Sequence, residues 1–121
     1  EEVAPILAAA DIGIAPFNLK ARPDMDENGF YFCPVKIFEY MAAGLPTLSF
    51  NLNEIDNIAA DSGQLANNGD WSDLTKKTQE LVENEEIREE KSELARERAV
   101  EKFDWKEIAK QTQEVYNQIL D

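Results

Sequence analysis

The sequence predicts an α/β fold in which about three parallel strands, with flanking helices, precede a helical C-terminal part. Short apolar runs bounded by Gly, Pro and Asn alternate with helix-like stretches up to about residue 70. Beyond that point only the three-to-four-residue apolar spacing of helices is present. Strands that alternate with helices form parallel sheets, because the chain must cross over to start each new strand in the same direction.

The first half of the chain supplies the predicted strands. Residues 1–10 have a helical pattern without a clear cap before it, so we expect a fragment whose preceding part lies elsewhere. Residues 12–17 and 47–50 are apolar and predict buried strands, and residues 63–66 predict a weaker third strand. Between the last two strands, Asn53 is expected to cap a short helix that runs to about Ala60.

The second half predicts three helices. Asp70, Asn84 and Asp104 are the expected caps. Asp73 and Glu107 lie three residues after Asp70 and Asp104, a spacing at which each side chain of a pair can accept a hydrogen bond from the backbone N–H of the other residue. The last helix has the most regular apolar face, so we expect that face to be buried. The face consists of Trp105, Ile108, Ala109, Thr112, Val115, Tyr116, Ile119 and Leu120.

Composition limits the classes of function. The 121 residues make one domain at most, and 12 basic against 25 acidic residues give a net charge of −13. Such a charge opposes binding to nucleic acid or anionic lipid. The chain has no His and a single Cys, Cys33, so neither a histidine base nor an internal disulfide is available. We expect a protein without a metal, a cofactor or a nucleic-acid partner.

No apolar run approaches the ~18 residues of a membrane span. The single cysteine and the lack of histidine favour a cytoplasmic location, with peripheral attachment at the inner face of the membrane as an alternative for a longer parent protein.

Residues 33–44 combine local structure signals with unusual chemistry. Pro34 fits the first position of a helix and Gly44 fits the left-handed residue that ends one. Nearly every position between them is apolar or small, which predicts a mostly buried helix. Lys36 and Glu39 are the exceptions, and their spacing of three places both on one helical face.

This helix has the features of a nucleotide site. The free N–H groups and the positive dipole at its N-terminus attract an anion, and Lys36 adds a full positive charge in the first turn. Glu39, one turn further on, accepts hydrogen bonds when ionised, which suits the hydroxyl groups of a ribose or another sugar. Cys33 is expected to be a small cap rather than a nucleophile, since no base is present to activate it.

The same residues resemble a known family. The string from Pro34 through Pro46 resembles the donor-site segment of retaining glycosyltransferases of GT-B fold, in the large family 4, which reads roughly S-P-x-K-x-x-E-Y-M-A-x-G-x-P. Cys33 stands where the family usually has serine. Residues 9–16 resemble the strand before that site, and residues 63 and 69–70 resemble the turns after it. Residues 103–105 and 115–116 resemble the last helices of these enzymes.

The resemblance implies a fold and a function. Residues 1–121 would be a single partial domain, the second half of a Rossmann-like parallel sheet that holds a nucleotide-diphosphate sugar. Three further strands and the acceptor domain would precede residue 1. In this reading Pro34, Val35 and Lys36 bind the donor diphosphate and Glu39 binds the ribose. No metal is expected, and no catalytic residue is assigned.

One position departs from the family pattern. Many members carry two glutamates eight positions apart, of which the first approaches the donor sugar, and Tyr31 occupies that first position here. A tyrosine cannot replace a carboxylate. Tyr31 and the nearby Glu27 are therefore only candidates for a contact with the donor sugar.

Other functions and an assembly are also compatible with the sequence. A non-catalytic nucleotide-binding or protein-interaction module of the same fold is one alternative, and a nucleotide-sugar epimerase is another that the absence of His weakens. Without a strand before residue 1, the strand at residues 12–17 would have an open edge. Either that edge or the apolar face of the last helix predicts a homodimer or a larger assembly.

Overall fold

The predicted α/β class with three parallel strands is confirmed. The structure, a computed structural model, describes residues 2–23 and 30–120. The strands are β1 (Gly13–Ala15), β2 (Thr47–Phe50) and β3 (Gly63–Ala66), which lie in the order β1-β2-β3 and are all parallel. Six α-helices occur in the described residues: α1 (Val3–Ala8), α2 (Val35–Ala42), α3 (Asn53–Ala59), α4 (Trp71–Glu83), α5 (Glu85–Lys102) and α6 (Trp105–Leu120).

The central strand β2 organises the sheet. Thr47 pairs with Gly13 on one side and with Gly63 on the other, and all four residues of β2 are buried. A strand covered on both faces must be nearly all apolar or small, which explains the uninterrupted run that identifies β2 in the sequence. Helix α2 connects β1 to β2, and α3 connects β2 to β3.

The sheet separates two apolar clusters. One face carries Ala15 and is covered by α2, α3 and α5; its buried members are Ala15, Phe30, Ile37, Met41, Leu52, Ile55, Ala59 and Ala95. The other face is covered by α4, and its buried members are Leu48, Phe50, Ala66, Leu74 and Leu81. The alternation along β2, with Leu48 and Phe50 on the α4 side, follows from the two-residue period of a strand.

Helix α5 joins helices from both faces of the sheet through polar contacts. Its basic and hydroxyl side chains donate to backbone carbonyl groups near the ends of α2, α3 and α4 and at the turn before β3. The pairs are Arg88 to Leu81 and Val82, Lys91 to Asp61 and Gly63, Ser92 to Gly44, Arg96 to Ala42, and Arg98 to Asn57 and Ile58. Cations at helix C-termini satisfy carbonyl groups that lack helical partners and complement the helix dipole.

The caps were predicted with mixed success. Asp70 accepts from Asp73 N, Asn84 accepts from Ile87 N, and Gly44 ends α2 with φ +70°, as expected. Asn53 is the first residue of α3 and follows Leu52 at the N-cap position, so its predicted capping role is wrong.

The expected hydrogen bond from the N–H of Asp70 to the Asp73 carboxylate, the second half of the reciprocal exchange at the start of α4, is not formed, so this prediction is also wrong. The Asp73 carboxylate accepts from the backbone N–H and side-chain amide of Asn67, and the N–H of Asp70 donates to the carbonyl of Asn67.

Burial differs from the prediction at two helices. Helix α2 was expected to be mostly buried, with Lys36 and Glu39 on its one polar face. Only Ile37 and Met41 are buried and Val35 is 56% exposed, so that expectation is wrong and α2 is covered mainly on one side. Helix α6 contains no buried residue, and most of its apolar face is exposed within the described part of the chain; Ile108 is half-buried. The helical pattern correctly predicted both elements but could not indicate what packs against them.

Gly13 is required by the packing of α2 on β1. A Cβ atom at this position would lie 2.4 Å from Cγ of Tyr40. We expect Gly13→Ala to lower the free energy of unfolding by about 1–3 kcal/mol, because the ring or the helix must move. Urea unfolding measures this loss. The control is the double variant with Tyr40→Ala, whose loss should be smaller than the sum of the two single losses; strict additivity would contradict the proposed clash.

Thr47 and Ser49 lie on the same face of β2 and give a matched pair of variants. The buried hydroxyl of Ser49 donates to the carbonyl of Ala15 at 2.6 Å, whereas Thr47 Oγ1 is buried without a partner among the described residues. We expect Thr47→Val to raise the free energy of unfolding by about 1 kcal/mol and Ser49→Ala to lower it by a similar amount. Equal signs for the two changes in denaturant unfolding would contradict this assignment.

Candidate functional site

The N-terminus of α2 lies at the edge of the sheet where ligands bind in open α/β folds. The segment that leaves the carboxyl end of β1 leads into α2, and α2 then returns the chain to the start of β2. A crossover helix between parallel strands runs opposite to them, so its first turn is near the carboxyl ends of the strands. That edge is the general site of ligands in such sheets.

The backbone at this N-terminus is partly occupied. Pro34 is the N-cap residue, one position before the predicted one, with φ −80° and ψ 68°. The N–H of Val35 donates to the carbonyl of Cys33, and the N–H of Ile37 donates to the carbonyl of Pro34, both at 2.9 Å. Two N–H groups of the first turn therefore already have acceptors, which leaves fewer backbone donors for an anion than the sequence predicted.

Lys36 and Glu39 lie on the solvent side of α2. Both side chains are exposed, whereas Ile37 and Met41 on the opposite side are fully buried. The exposed side of α2 thus presents a cation in the first turn and a carboxylate one turn later. This arrangement offers a charge for an anionic group and hydrogen-bond acceptors for nearby hydroxyl groups.

Glu39 also lies on an apolar groove between α2, α5 and α6, with a volume of about 590 Å³. Phe38 and Phe103 meet edge to face in it, with ring centroids 4.9 Å apart. Val35 and Val100 line it from α2 and α5. Its other lining residues are Cys33, Ala42, Arg96, Ala99, Asp104, Trp105 and Ile108.

The groove was not predicted from the sequence. Phe38 and Phe103 are 65 positions apart, and no local pattern reports a contact over that distance. The only signal was indirect: the apolar start of α6 was expected to be buried, but no partner was assigned to it.

Of the two candidates for a contact with the donor sugar, only Tyr31 lies in the described part of the chain. Tyr31 is 58% exposed, and its ring lies 4.6 Å from that of Phe32, which in turn contacts Phe30 edge to face at 6.1 Å. Phe30 is buried in the first apolar cluster, so this aromatic series attaches the segment before α2 to the core. Glu27 lies outside the described residues.

Two further properties concern the described residues alone. Over residues 2–23 and 30–120, no three His, Cys, Asp or Glu side chains are close enough together to hold a metal ion. In the same part of the chain, no helix combines the length and apolar character needed to cross a membrane.

The parallel sheet with its connecting helices defines an open α/β fold, a class of fold in which ligands generally bind at the carboxyl ends of the strands. The family model for "Glycosyl transferases group 1" matches residues 1–84, about two thirds of the chain, and the chain belongs to this family. The match includes β1, α2, β2, α3, β3 and α4. Comparisons with curated proteins and with solved structures gave no match.

Proposed function

We propose that this chain is the donor-binding part of a retaining glycosyltransferase that moves a sugar from a nucleotide-diphosphate sugar to an acceptor. Membership of the glycosyl transferases group 1 family supports the reaction class. The observation that carries the proposal is the exposed pair Lys36 and Glu39 at the N-terminal end of α2, next to the carboxyl edge of the sheet.

The diphosphate would bind near Lys36. As the bond between the sugar and the diphosphate breaks, negative charge accumulates on the departing phosphate oxygens, and a fixed cation and a helix N-terminus stabilise it. The N–H of Val35 would contribute only after exchanging its bond to the carbonyl of Cys33 for one to phosphate. Since Lys36 and the helix dipole supply positive charge, this step requires no metal ion in principle.

Glu39 would bind the ribose. Its carboxylate is exposed, and it lies on the same face of α2 as Lys36, three residues earlier. At this spacing one residue could contact a ribose while the other contacts the phosphate attached to it. Two carboxylate oxygens can accept from the two ribose hydroxyl groups, and such charged hydrogen bonds are stronger than neutral ones.

The acceptor site is proposed to lie in a separate domain. The resemblance of residues 34–46 to GT-B donor sites implies an acceptor domain and further strands of the donor domain in a longer parent protein. In that arrangement the present chain supplies the nucleotide contacts, and the acceptor domain closes over the sugar. A cytoplasmic parent fits this proposal, because nucleotide sugars are its substrates.

A second function is favoured by Tyr31. An exposed tyrosine stands where the resemblance expects a carboxylate that approaches the donor sugar. A module that binds nucleotide without transferring sugar would tolerate this change. Sugar transfer by the parent protein, measured as release of nucleoside diphosphate that depends on an acceptor, separates the two functions.

Glu39→Gln tests the ribose contact. We expect the change to weaken binding of nucleoside diphosphates to the parent protein by about 1.5–3 kcal/mol, because a charged acceptor of two hydrogen bonds is replaced by a neutral amide. Isothermal titration with a nucleoside, its diphosphate and the 2′-deoxy analogue measures the effect. The loss should be present with the nucleoside and smaller with the deoxy compound.

Two control variants sharpen the test. Glu90→Gln changes the same functional group on an exposed site of α5 and should leave affinity unchanged. Lys36→Met should weaken binding of the diphosphate but not of the nucleoside. Unchanged affinity of Glu39→Gln for every nucleotide would contradict the proposed site.

The 121 residues alone should bind nucleotide only weakly. A few exposed polar contacts leave little free energy after the cost of association, so we expect a dissociation constant of about 1 mM or higher. Calorimetry or NMR titration of the isolated chain measures it. A micromolar constant would contradict this expectation and would mean that the 121 residues already contain a complete nucleotide site.

A further inference from the structure

Two exposed aromatic side chains lie directly before the N-terminus of α2. Tyr31 is 58% exposed and Phe32 is 43% exposed. Their ring centroids are 4.6 Å apart, and the two ring planes are tilted by 55°. The rings therefore form an angled apolar surface, which we call the aromatic corner. Binding sites for small molecules are commonly lined by aromatic side chains with a few polar groups beside them.

The aromatic corner is attached to the core at the carboxyl end of β1. Phe32 contacts Phe30 edge to face, and Phe30 contacts Phe17 in the same way with ring centroids 5.2 Å apart. Phe30 is 6% exposed, and Phe17 follows the end of β1 by two residues. Because the buried rings hold the exposed ones in place, less conformational entropy is lost when a ligand binds.

The aromatic corner is close to the proposed diphosphate position. Only Cys33 and Pro34 separate Phe32 from Val35, the first residue of α2. An extended chain advances about 3.3–3.6 Å per residue, so the Cα atoms of Phe32 and Val35 are at most about 11 Å apart. In a nucleotide sugar, the sugar is bonded directly to the diphosphate. A diphosphate beside Lys36 would therefore bring the sugar within reach of the two rings.

The order of the contacts along the chain follows the order of the groups in a nucleotide sugar. The aromatic corner precedes Lys36, and Lys36 precedes Glu39 by one helical turn. A nucleotide sugar consists of the sugar, the diphosphate and the ribose in that order. With the diphosphate at Lys36 and the ribose at Glu39, the sugar is directed away from Glu39 and towards the residues before α2.

We propose that the aromatic corner binds the donor sugar through the C–H groups on one face of its pyranose ring, and that this sugar is an uncharged hexose. The inference rests on the proposed function, since the diphosphate contact is what brings a sugar to these rings. The C–H groups of a pyranose carry a slight positive charge, whereas the face of an aromatic ring is negative. Their contact also removes apolar surface from water.

The lack of charge at the aromatic corner favours an uncharged sugar. Residues 30–35 contain no charged side chain, although charged residues make up 31% of the chain. A carboxylate or an ammonium group on the sugar would lose water there without gaining a counter-charge from these residues. The net charge of −13 raises the cost further for a uronate.

This contact gives Tyr31 a role that differs from that of a carboxylate. A carboxylate accepts hydrogen bonds from hydroxyl groups of a sugar, whereas an aromatic ring contacts the C–H groups between them. The directions of the hydroxyl groups then matter less than the presence of a continuous C–H face. Tyr31 therefore does not require the loss of sugar binding.

NMR titration of the 121-residue chain tests the proposal, because it measures dissociation constants in the millimolar range. UDP-glucose and GDP-mannose are the probes, and UDP and GDP are the references without a sugar. We expect Tyr31→Ala to weaken binding of at least one nucleotide sugar about 3- to 10-fold and to leave binding of its diphosphate unchanged. Tyr31→Phe should retain the affinity, since the ring rather than the hydroxyl makes the contact. UDP-glucuronate should bind more weakly than UDP-glucose.

A matched control removes the same side chain elsewhere. Tyr116 of α6 is 62% exposed, so Tyr116→Ala should leave all affinities unchanged. Circular dichroism verifies that the variants are folded. Saturation transfer from the protein to the pyranose protons should be present in the original chain and in Tyr31→Phe, and should be reduced in Tyr31→Ala relative to transfer to the ribose protons.

The outcomes separate this inference from the proposed function. Diphosphates that bind, together with nucleotide sugars whose affinity does not depend on Tyr31, would overturn the aromatic corner and leave the nucleotide site intact. The same result is expected if the two rings contact only another protein domain. Tighter binding of UDP-glucuronate than of UDP-glucose would overturn the assignment of an uncharged sugar. No binding of any of these nucleotides would contradict the proposed function, and the inference with it.

Discussion

Backbone carbonyl groups at the C-terminal ends of three helices accept hydrogen bonds from arginine side chains of a single helix, α5. Arg88, Arg96 and Arg98 of α5 donate to the last carbonyls of α4, α2 and α3, respectively. Without these donors, the carbonyl groups at the helix ends would lack protein partners, and this is most costly for the part-buried carbonyls of Leu81 and Ile58. The seven glutamates of α5 are all exposed, whereas Arg88, Lys91 and Arg98 are partly buried. In an acidic chain, the few cations are used where backbone groups need them most.

The parts of the fold that were predicted well are those whose sequence signals are local. Strand β2 was located correctly because burial on both faces leaves an uninterrupted apolar signal. Helix α2 was located because Gly44 provides the left-handed end, and α4 and α5 because Asp70 and Asn84 cap them locally. Each of these signals acts within a few residues. The role of the α5 cations involves partners up to 54 residues away, and no local pattern contains that information.

The features of the candidate site also differ in whether local sequence could predict them. Lys36 and Glu39 could be named from the sequence because their spacing on one helix is a local property; both are exposed, and their binding role stays a prediction. The groove depends on α2, α5 and α6 meeting around Phe38 and Phe103, which only tertiary packing determines. The occupied N–H of Val35 was also unpredictable, since it depends on the backbone angles at Cys33 and Pro34.

Tyr40 has a consequence for its neighbour Glu39. Its ring packs against the backbone at Gly13 and its hydroxyl binds the carbonyl of Ile14, so α2 cannot rotate about its own axis without breaking both contacts. The direction in which Glu39 leaves the helix is therefore set when the protein folds. For a carboxylate proposed to hold a ribose, this is preorganisation: much of the entropy of orienting the helix is lost before any ligand arrives.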